Sequence, residues 1–120
     1  MIKICLFEDD DTMRSLLKTL LEIEGFAVTS AMPEESNVEF LVKEKPDVLL
    51  LDVHLANLDG VSILKSIKAR EKITSMLVLM TSGMDLRDIC LQNGADGFLL
   101  KPYMPDDLIN WIRNRIQSKF

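Results

Sequence analysis

Hydrophobic residues along the chain form five short runs, separated by stretches in which apolar residues recur with helical spacing. We interpret the runs as strands at residues 2–7, 26–30, 48–52, 76–81 and 98–100. The intervening stretches predict helices around residues 13–21, 38–42, 61–67, 86–92 and 105–116, because their apolar positions follow i, i+3, i+4 spacing. This alternation predicts an α/β fold, in which a parallel sheet is covered by helices on both faces through right-handed crossovers.

Composition narrows the class of protein. The chain has 120 residues, which predicts one domain over residues 1–120. Hydrophobic residues make up 48% and charged residues 28%, so a disordered chain is excluded. Because no apolar run is long enough to span a membrane and no secretory signal begins the chain, we expect a soluble cytoplasmic protein without membrane contact. Cys5 and Cys90 lie in apolar segments and are expected to be free, buried thiols.

Charge argues against one class of partner and favours another. The formal net charge is -5, and no basic cluster is present in the sequence. Direct binding to nucleic acid therefore is not expected, since such binding depends on basic groups that neutralise phosphates. A cation is the more natural partner.

Polar residues stand where the predicted strands end. Glu8 and Asp9 follow the first strand, and Asp52 closes the apolar run of the third. Thr81 ends the fourth strand and Lys101 follows the fifth. The carboxyl ends of parallel strands share one edge of the sheet, where open α/β folds bind their ligands. We therefore expect these five side chains to converge.

Three carboxylates at one edge repel each other. At an effective dielectric near 20, each pair about 4 Å apart costs ~4 kcal/mol, so three pairs rival a typical domain stability of about 5–15 kcal/mol. A cation, protonation or wider spacing must relieve this repulsion. All-oxygen ligands favour Mg²⁺ or Mn²⁺. With a hydroxyl and an ammonium added, the set predicts a site that holds a phosphoryl group, with Asp52 as the nucleophile.

Six motifs together resemble a known family. They are Phe7-Glu8-Asp9-Asp10, the run from Pro46 to Asp52, Leu58-Asp59-Gly60, Thr81-Ser82, Gly94-Ala95-Asp96 and Lys101-Pro102. In this combination the chain resembles a response-regulator receiver domain of two-component signalling, similar to the chemotaxis regulator, from Ile2 to about Ile116. The resemblance implies a flavodoxin-like (βα)5 doubly wound sheet with strand order 2-1-3-4-5.

The resemblance also implies roles for the acidic residues. Asp52 would accept a phosphoryl group from a phosphohistidine on a sensor histidine kinase or a histidine phosphotransfer protein. Asp52 and Asp9 would ligate Mg²⁺ or Mn²⁺ directly, and Glu8 would do so through water. The backbone carbonyl of His54 would be the remaining protein ligand.

Other positions match the family's switch and its framework. Lys101 would bind a phosphoryl oxygen, and Thr81 would move to bind another once Asp52 is modified. Phe98 matches the aromatic residue that turns inward into the space which Thr81 leaves. The Lys101–Pro102 peptide is expected to be cis, and Gly60 is expected to be structural.

Three features bear on the output and on the phosphorylation kinetics. Ala56 stands where the family usually has proline. His54 is the only histidine, and its side chain would face the pocket mouth. It is either a plain loop residue or a group that tunes phosphorylation or hydrolysis near neutral pH. The segment from Thr81 to Gly94 is about two residues shorter than is usual.

An unknown downstream protein or effector domain is expected to bind around the fourth helix, fifth strand and fifth helix, and a homodimer through this surface is an open alternative. Trp111, on the last helix, would serve packing or this docking surface.

Three alternatives belong to other functional classes. A degenerate receiver would act through protein contacts without phosphate. A Mg²⁺-dependent aspartyl-phosphate hydrolase would need a second aspartate where His54 stands. A flavin or nicotinamide carrier would need a phosphate-binding loop after the first strand, where this chain has acids. The expected protein is therefore a phosphoacceptor switch with self-catalysed phosphorylation and hydrolysis, and not an enzyme acting on a separate substrate.

Overall fold

Five parallel strands form the central sheet of the protein. The computed structural model describes residues 1–32, 37–55, 58–73 and 75–119, so Ala56 lies outside the described residues. The strands run in the order β2-β1-β3-β4-β5, which confirms the predicted doubly wound topology. Their bounds are β1 Lys3–Phe7, β2 Ala27–Ser30, β3 Val48–Asp52, β4 Leu77–Ser82 and β5 Gly97–Leu100.

Four helices connect consecutive strands and a fifth follows the last strand, as the periodicity predicted. They are α1 Asp11–Ile23, α2 Val38–Glu44, α3 Gly60–Lys68, α4 Arg87–Gln92 and α5 Pro105–Lys119. Asp10 caps α1, since its side chain accepts a hydrogen bond from the backbone N–H of Met13 at 2.9 Å. Gly25 follows α1 with a φ of +96°, a left-handed conformation that glycine commonly adopts just after a helix. Helix α4 has six residues and no side-chain cap, in the segment where the sequence is short.

The sheet separates two apolar layers. Successive residues of β1 and β3 point to opposite faces, so Cys5 and Phe7 join one cluster while Ile4 and Leu6 join the other. Helices α2, α3 and α4 cover the first face, and α1 and α5 cover the second. Both cysteines are free and buried, as predicted. Because both faces are covered, all five residues of β3 are buried and only the end of the strand can meet a ligand.

One close contact refines this packing. Trp111 of α5 is half-buried and lies directly on β5, since a Cβ added to Gly97 would stand 2.6 Å from the indole Nε1. Packing is thus the role that the structure shows for Trp111.

In the part of the chain that the structure describes, no helix combines the length and the apolar character needed to cross a bilayer.

Candidate functional site

Three carboxylates meet at the carboxyl edge of the sheet. Glu8 and Asp9 lie in the turn after β1, and Asp52 is the last residue of β3. One ligand oxygen from each of the three lies within 4.8 Å of the others. Glu8 is 4% exposed and Asp52 6% exposed, while Asp9 is half-buried. The structure therefore assembles the acidic group that the strand ends predicted.

Lys101 supplies the positive charge that this group requires. Its Nζ donates hydrogen bonds to Glu8 Oε1 at 2.9 Å and to Asp52 Oδ2 at 2.8 Å. Burial works to lower the pKa of Lys101, but the hydrogen bonds and charges of Asp52 and Glu8 outweigh it and raise that pKa above its usual value. The ammonium therefore stays charged. It relieves part of the carboxylate repulsion.

Burial disfavours the charged form of the Glu8 carboxyl. Burial raises the pKa of its carboxyl, and the nearby Asp52 raises it further, whereas the hydrogen bond from Lys101 lowers it. The net direction is upward. One ammonium thus only partly offsets two buried carboxylates, and the site retains an attraction for a further cation.

Backbone contacts fix the position of Asp52. Its Oδ1 accepts a hydrogen bond from the backbone N–H of His54 at 3.1 Å. The next peptide is held on both sides, because Val53 N–H donates to the Thr81 carbonyl at 2.9 Å and the Val53 carbonyl accepts from Gly60 N–H at 2.7 Å. A Cβ at Gly60 would lie 2.5 Å from the Asp52 carbonyl oxygen. Gly60 is therefore structural in a specific sense, since only glycine allows α3 to begin this close to β3.

Thr81 and Phe98 occupy neighbouring strands beside Asp52. Thr81 is 2% exposed and is the register partner of Asp52 in the β3–β4 ladder. Phe98, on β5, is 3% exposed, so the aromatic ring is in the inward position. The guanidinium of Arg87, from α4, lies 5.7 Å from the centroid of that ring. The Lys101–Pro102 peptide is cis, as expected.

His54 contacts the site through its backbone. The residue is exposed, at the site rim, and pairs with Asp59 in a short antiparallel ladder of His54–Leu55 with Leu58–Asp59. Its backbone N–H binds Asp52, as described above. The backbone of His54 thus lies beside Asp52, and the position and tuning role of its imidazole stay a prediction.

One residue near the site was missed by the sequence reasoning. Arg14, on α1, donates to the backbone carbonyl of Glu8 at 2.7 Å. Its position three and four residues after Asp11 and Asp10 was the available signal, because such residues share a helix face. Tyr103 is half-buried beyond Pro102, and burial raises the pKa of its hydroxyl to about 12.

The donor set fits a hard divalent cation. All three side-chain ligands are carboxylates, they lie within reach of one ion, and no Cys or His ligand joins them among the described residues. Oxygen ligands of this kind suit Mg²⁺ or Mn²⁺.

Comparison with known proteins gives a consistent result. Residues 4–113 match the family model described as the response regulator receiver domain. The transcriptional regulatory protein CpxR of Escherichia coli (strain K12) is 39% identical over 114 residues, which cover 94% of this chain and 48% of CpxR. The transcriptional regulatory protein CseB of Streptomyces coelicolor is 39% identical over 109 residues, which cover 88% of this chain and 45% of CseB. The chain thus spans about half the length of the curated relatives it matches.

Solved structures agree at the level of the fold. A response regulator receiver domain protein from Clostridium thermocellum superimposes with a TM-score of 0.86 at 31% identity, covering 99% of this chain and 97% of the other. The chemotaxis protein CheY4 of Vibrio cholerae gives a TM-score of 0.81 at 22% identity, with 95% and 98% covered. This second likeness bears on the fold alone.

Proposed function

Because the chain belongs to the response-regulator receiver family of two-component systems, we propose that it is a phosphorylation switch whose acceptor is Asp52. The phosphoryl donor would be a phosphohistidine on a sensor histidine kinase or a histidine phosphotransfer protein. One observation carries the proposal: Asp52 Oδ2 lies 2.8 Å from the Lys101 ammonium, in a group with Glu8 and Asp9. This arrangement joins a nucleophile to the charges that phosphoryl transfer requires.

The transfer would proceed by attack of an Asp52 carboxylate oxygen on phosphorus. A P–O bond forms while the P–N bond of the phosphohistidine breaks, and the bonding electron pair remains on the imidazole nitrogen of the donor. Asp9, Asp52 and the His54 carbonyl, with Glu8 through water, would hold a Mg²⁺ or Mn²⁺ ion that supplies positive charge to the phosphoryl oxygens. Lys101, which already contacts Asp52, would bind one of those oxygens. The protein would act on no substrate other than its own acyl phosphate.

The conformational change would pass from Asp52 through Thr81 to the edge of the sheet formed by β5. Thr81 lies beside Asp52 in register, and its hydroxyl would move toward the new phosphoryl group. The inward ring of Phe98 would be held in place by that movement. The surface formed by α4, β5 and α5 would then carry the signal to a downstream protein, an effector domain or a second copy of the chain. Exposed apolar side chains support its use for docking, since Ile89, Leu91 and Leu100 are each more than 40% exposed.

A phosphorylation assay tests the proposal. The wild-type protein, incubated with acetyl phosphate and Mg²⁺, should gain the mass of one phosphoryl group, and Asp52→Asn should gain none. Asp88→Asn is the matched control, because Asp88 is an exposed carboxylate on α4. EDTA should abolish the modification.

Two outcomes would support other functions. An unmodified wild type would overturn the proposal in favour of a degenerate receiver that acts through phosphate-independent contacts. Repeated turnover of an added phosphate monoester would instead indicate a hydrolase.

A further inference from the structure

The turn that carries Glu8 and Asp9 lies outside the hydrogen-bonded sheet. Strand β1 ends at Phe7, and helix α1 begins at Asp11. The hydrogen bonds of the sheet therefore do not by themselves fix the positions of the two carboxylates at the sheet edge. Other contacts must do so, because a metal site tolerates little error in the position of its ligands.

One of these contacts comes from a half-buried arginine. The Arg14 side chain is only 13% exposed, and its Nη1 donates to the Glu8 backbone carbonyl at 2.7 Å. Its Nη2 pairs with the carboxylate of Asp11. The guanidinium therefore joins the first turn of α1 to the residue that begins the acidic turn.

The base of Arg14 is itself well anchored. Its backbone N–H donates to the Asp10 carbonyl at 2.9 Å, which is the first bond of the helix, and the Asp10 side chain caps the same turn. The backbone N–H of Asp10 in turn points to Glu8 Oε2 at 3.4 Å. Helix α1 thus provides a rigid support from which Arg14 reaches back to Glu8.

We propose that Arg14 is a positioning residue for the metal-binding carboxylates. It holds the Glu8 carbonyl, and through that peptide it sets where Glu8 and Asp9 present their oxygens to the cation. The inference rests on the proposed function, because it assumes that the acidic group binds Mg²⁺. The hydrogen bond that Arg14 donates to Glu8 goes to the backbone carbonyl, so it acts on Glu8 through the backbone.

Electrostatics gives this proposal an unusually clear sign. A positive charge near the site repels Mg²⁺, so an Arg14 that acted only as a nearby charge would weaken binding, and its removal would tighten binding. An Arg14 that positions the ligands has the opposite effect, since its removal leaves the Glu8 carbonyl without this donor and loosens the turn. Loss of groups that orient metal ligands commonly costs about 10–100-fold in affinity. We expect a loss near the lower end of this range, about tenfold. Arg14 acts on the Glu8 carboxylate only indirectly, through the backbone carbonyl of that residue.

The experiment measures the Mg²⁺ dissociation constant by isothermal titration calorimetry. The variants are Arg14→Gln, Arg14→Lys and Arg70→Gln. The lysine keeps the charge but lacks the planar fork that serves two acceptors at once. Arg70→Gln is the matched control, since it removes the same charge from an exposed pair with Glu39 that lies outside the acidic group. Thermal unfolding in EDTA reports the stability of each variant separately.

The outcomes separate the alternatives. Both Arg14 variants should bind Mg²⁺ about tenfold more weakly than the wild type, and Arg70→Gln should match the wild type. Tighter binding by Arg14→Gln, or a dissociation constant within twofold of the wild type, would overturn the inference even if that variant melts earlier. A wild type that gives no Mg²⁺ heat and whose Tm does not rise when Mg²⁺ replaces EDTA would instead refute the metal site of the proposed function, and the inference with it.

Discussion

Replacing Gly60 by alanine should disturb the peptide that carries Asp52. The new Cβ would stand 2.5 Å from the Asp52 carbonyl oxygen and 2.7 Å from the Val53 Cα. Ordinary contacts begin at 3.4 Å, so the backbone would have to separate by about 0.9 Å. Both obstacles are backbone atoms of a buried strand end, and neither can rotate away as a flexible side chain would.

The expected cost follows from this geometry. Overpacking a rigid site typically costs about 1–3 kcal/mol. For a chain of this length, with an unfolding entropy of about 2.1 cal/mol/K per residue, each kcal/mol lowers Tm by about 4 °C. We therefore expect a drop of about 4–12 °C. Because a displacement near 1 Å at a reacting group costs on the order of 10²-fold in rate, phosphorylation by acetyl phosphate should slow by a comparable factor.

Gly83→Ala is the matched control for Gly60→Ala. It makes the same chemical change in the loop after β4, where an added Cβ would meet nothing within 4 Å. Thermal unfolding and a time course of intact mass would be recorded for both variants. The reasoning is refuted if Gly60→Ala melts within about 1 °C of the wild type, or if both variants slow phosphorylation equally.

Two further predictions concern charge. The raised pKa of Glu8 means that the folded metal-free protein holds a proton more tightly than the unfolded chain, so stability falls as the pH rises from the usual value of 4.5 through the raised one. In EDTA, Glu8→Gln should therefore gain stability relative to the wild type between pH 4.5 and neutral, and a constant difference in urea denaturation would contradict this. A double-mutant cycle of Arg87→Gln with Phe98→Leu should show a coupling of about 0.5–1 kcal/mol, because the guanidinium lies over the ring. Zero coupling would show that this contact does not hold the ring inward.

Much of the fold was predictable because its signals are local. Apolar runs and helical spacing depend on which residues neighbour each other in the chain, and they identified all five strands of the main sheet and their connecting helices. The convergence of Glu8, Asp9 and Asp52 was also predictable, since parallel strands must end at one edge. Strand and helix ends moved by up to three residues, because caps and register decide them.

The remaining features depend on contacts between segments that are distant in sequence. The sequence by itself determined the acidic group and the lysine, and its resemblance to the receiver family implied the order of the strands. Only the tertiary structure decided that Lys101 bridges Glu8 and Asp52, that Arg14 holds the Glu8 carbonyl, and that Phe98 lies inward under Arg87. The physical reason is that a charge pattern specifies which groups approach each other, whereas hydrogen-bond partners and ring positions depend on sub-ångström packing that no pattern of residues encodes.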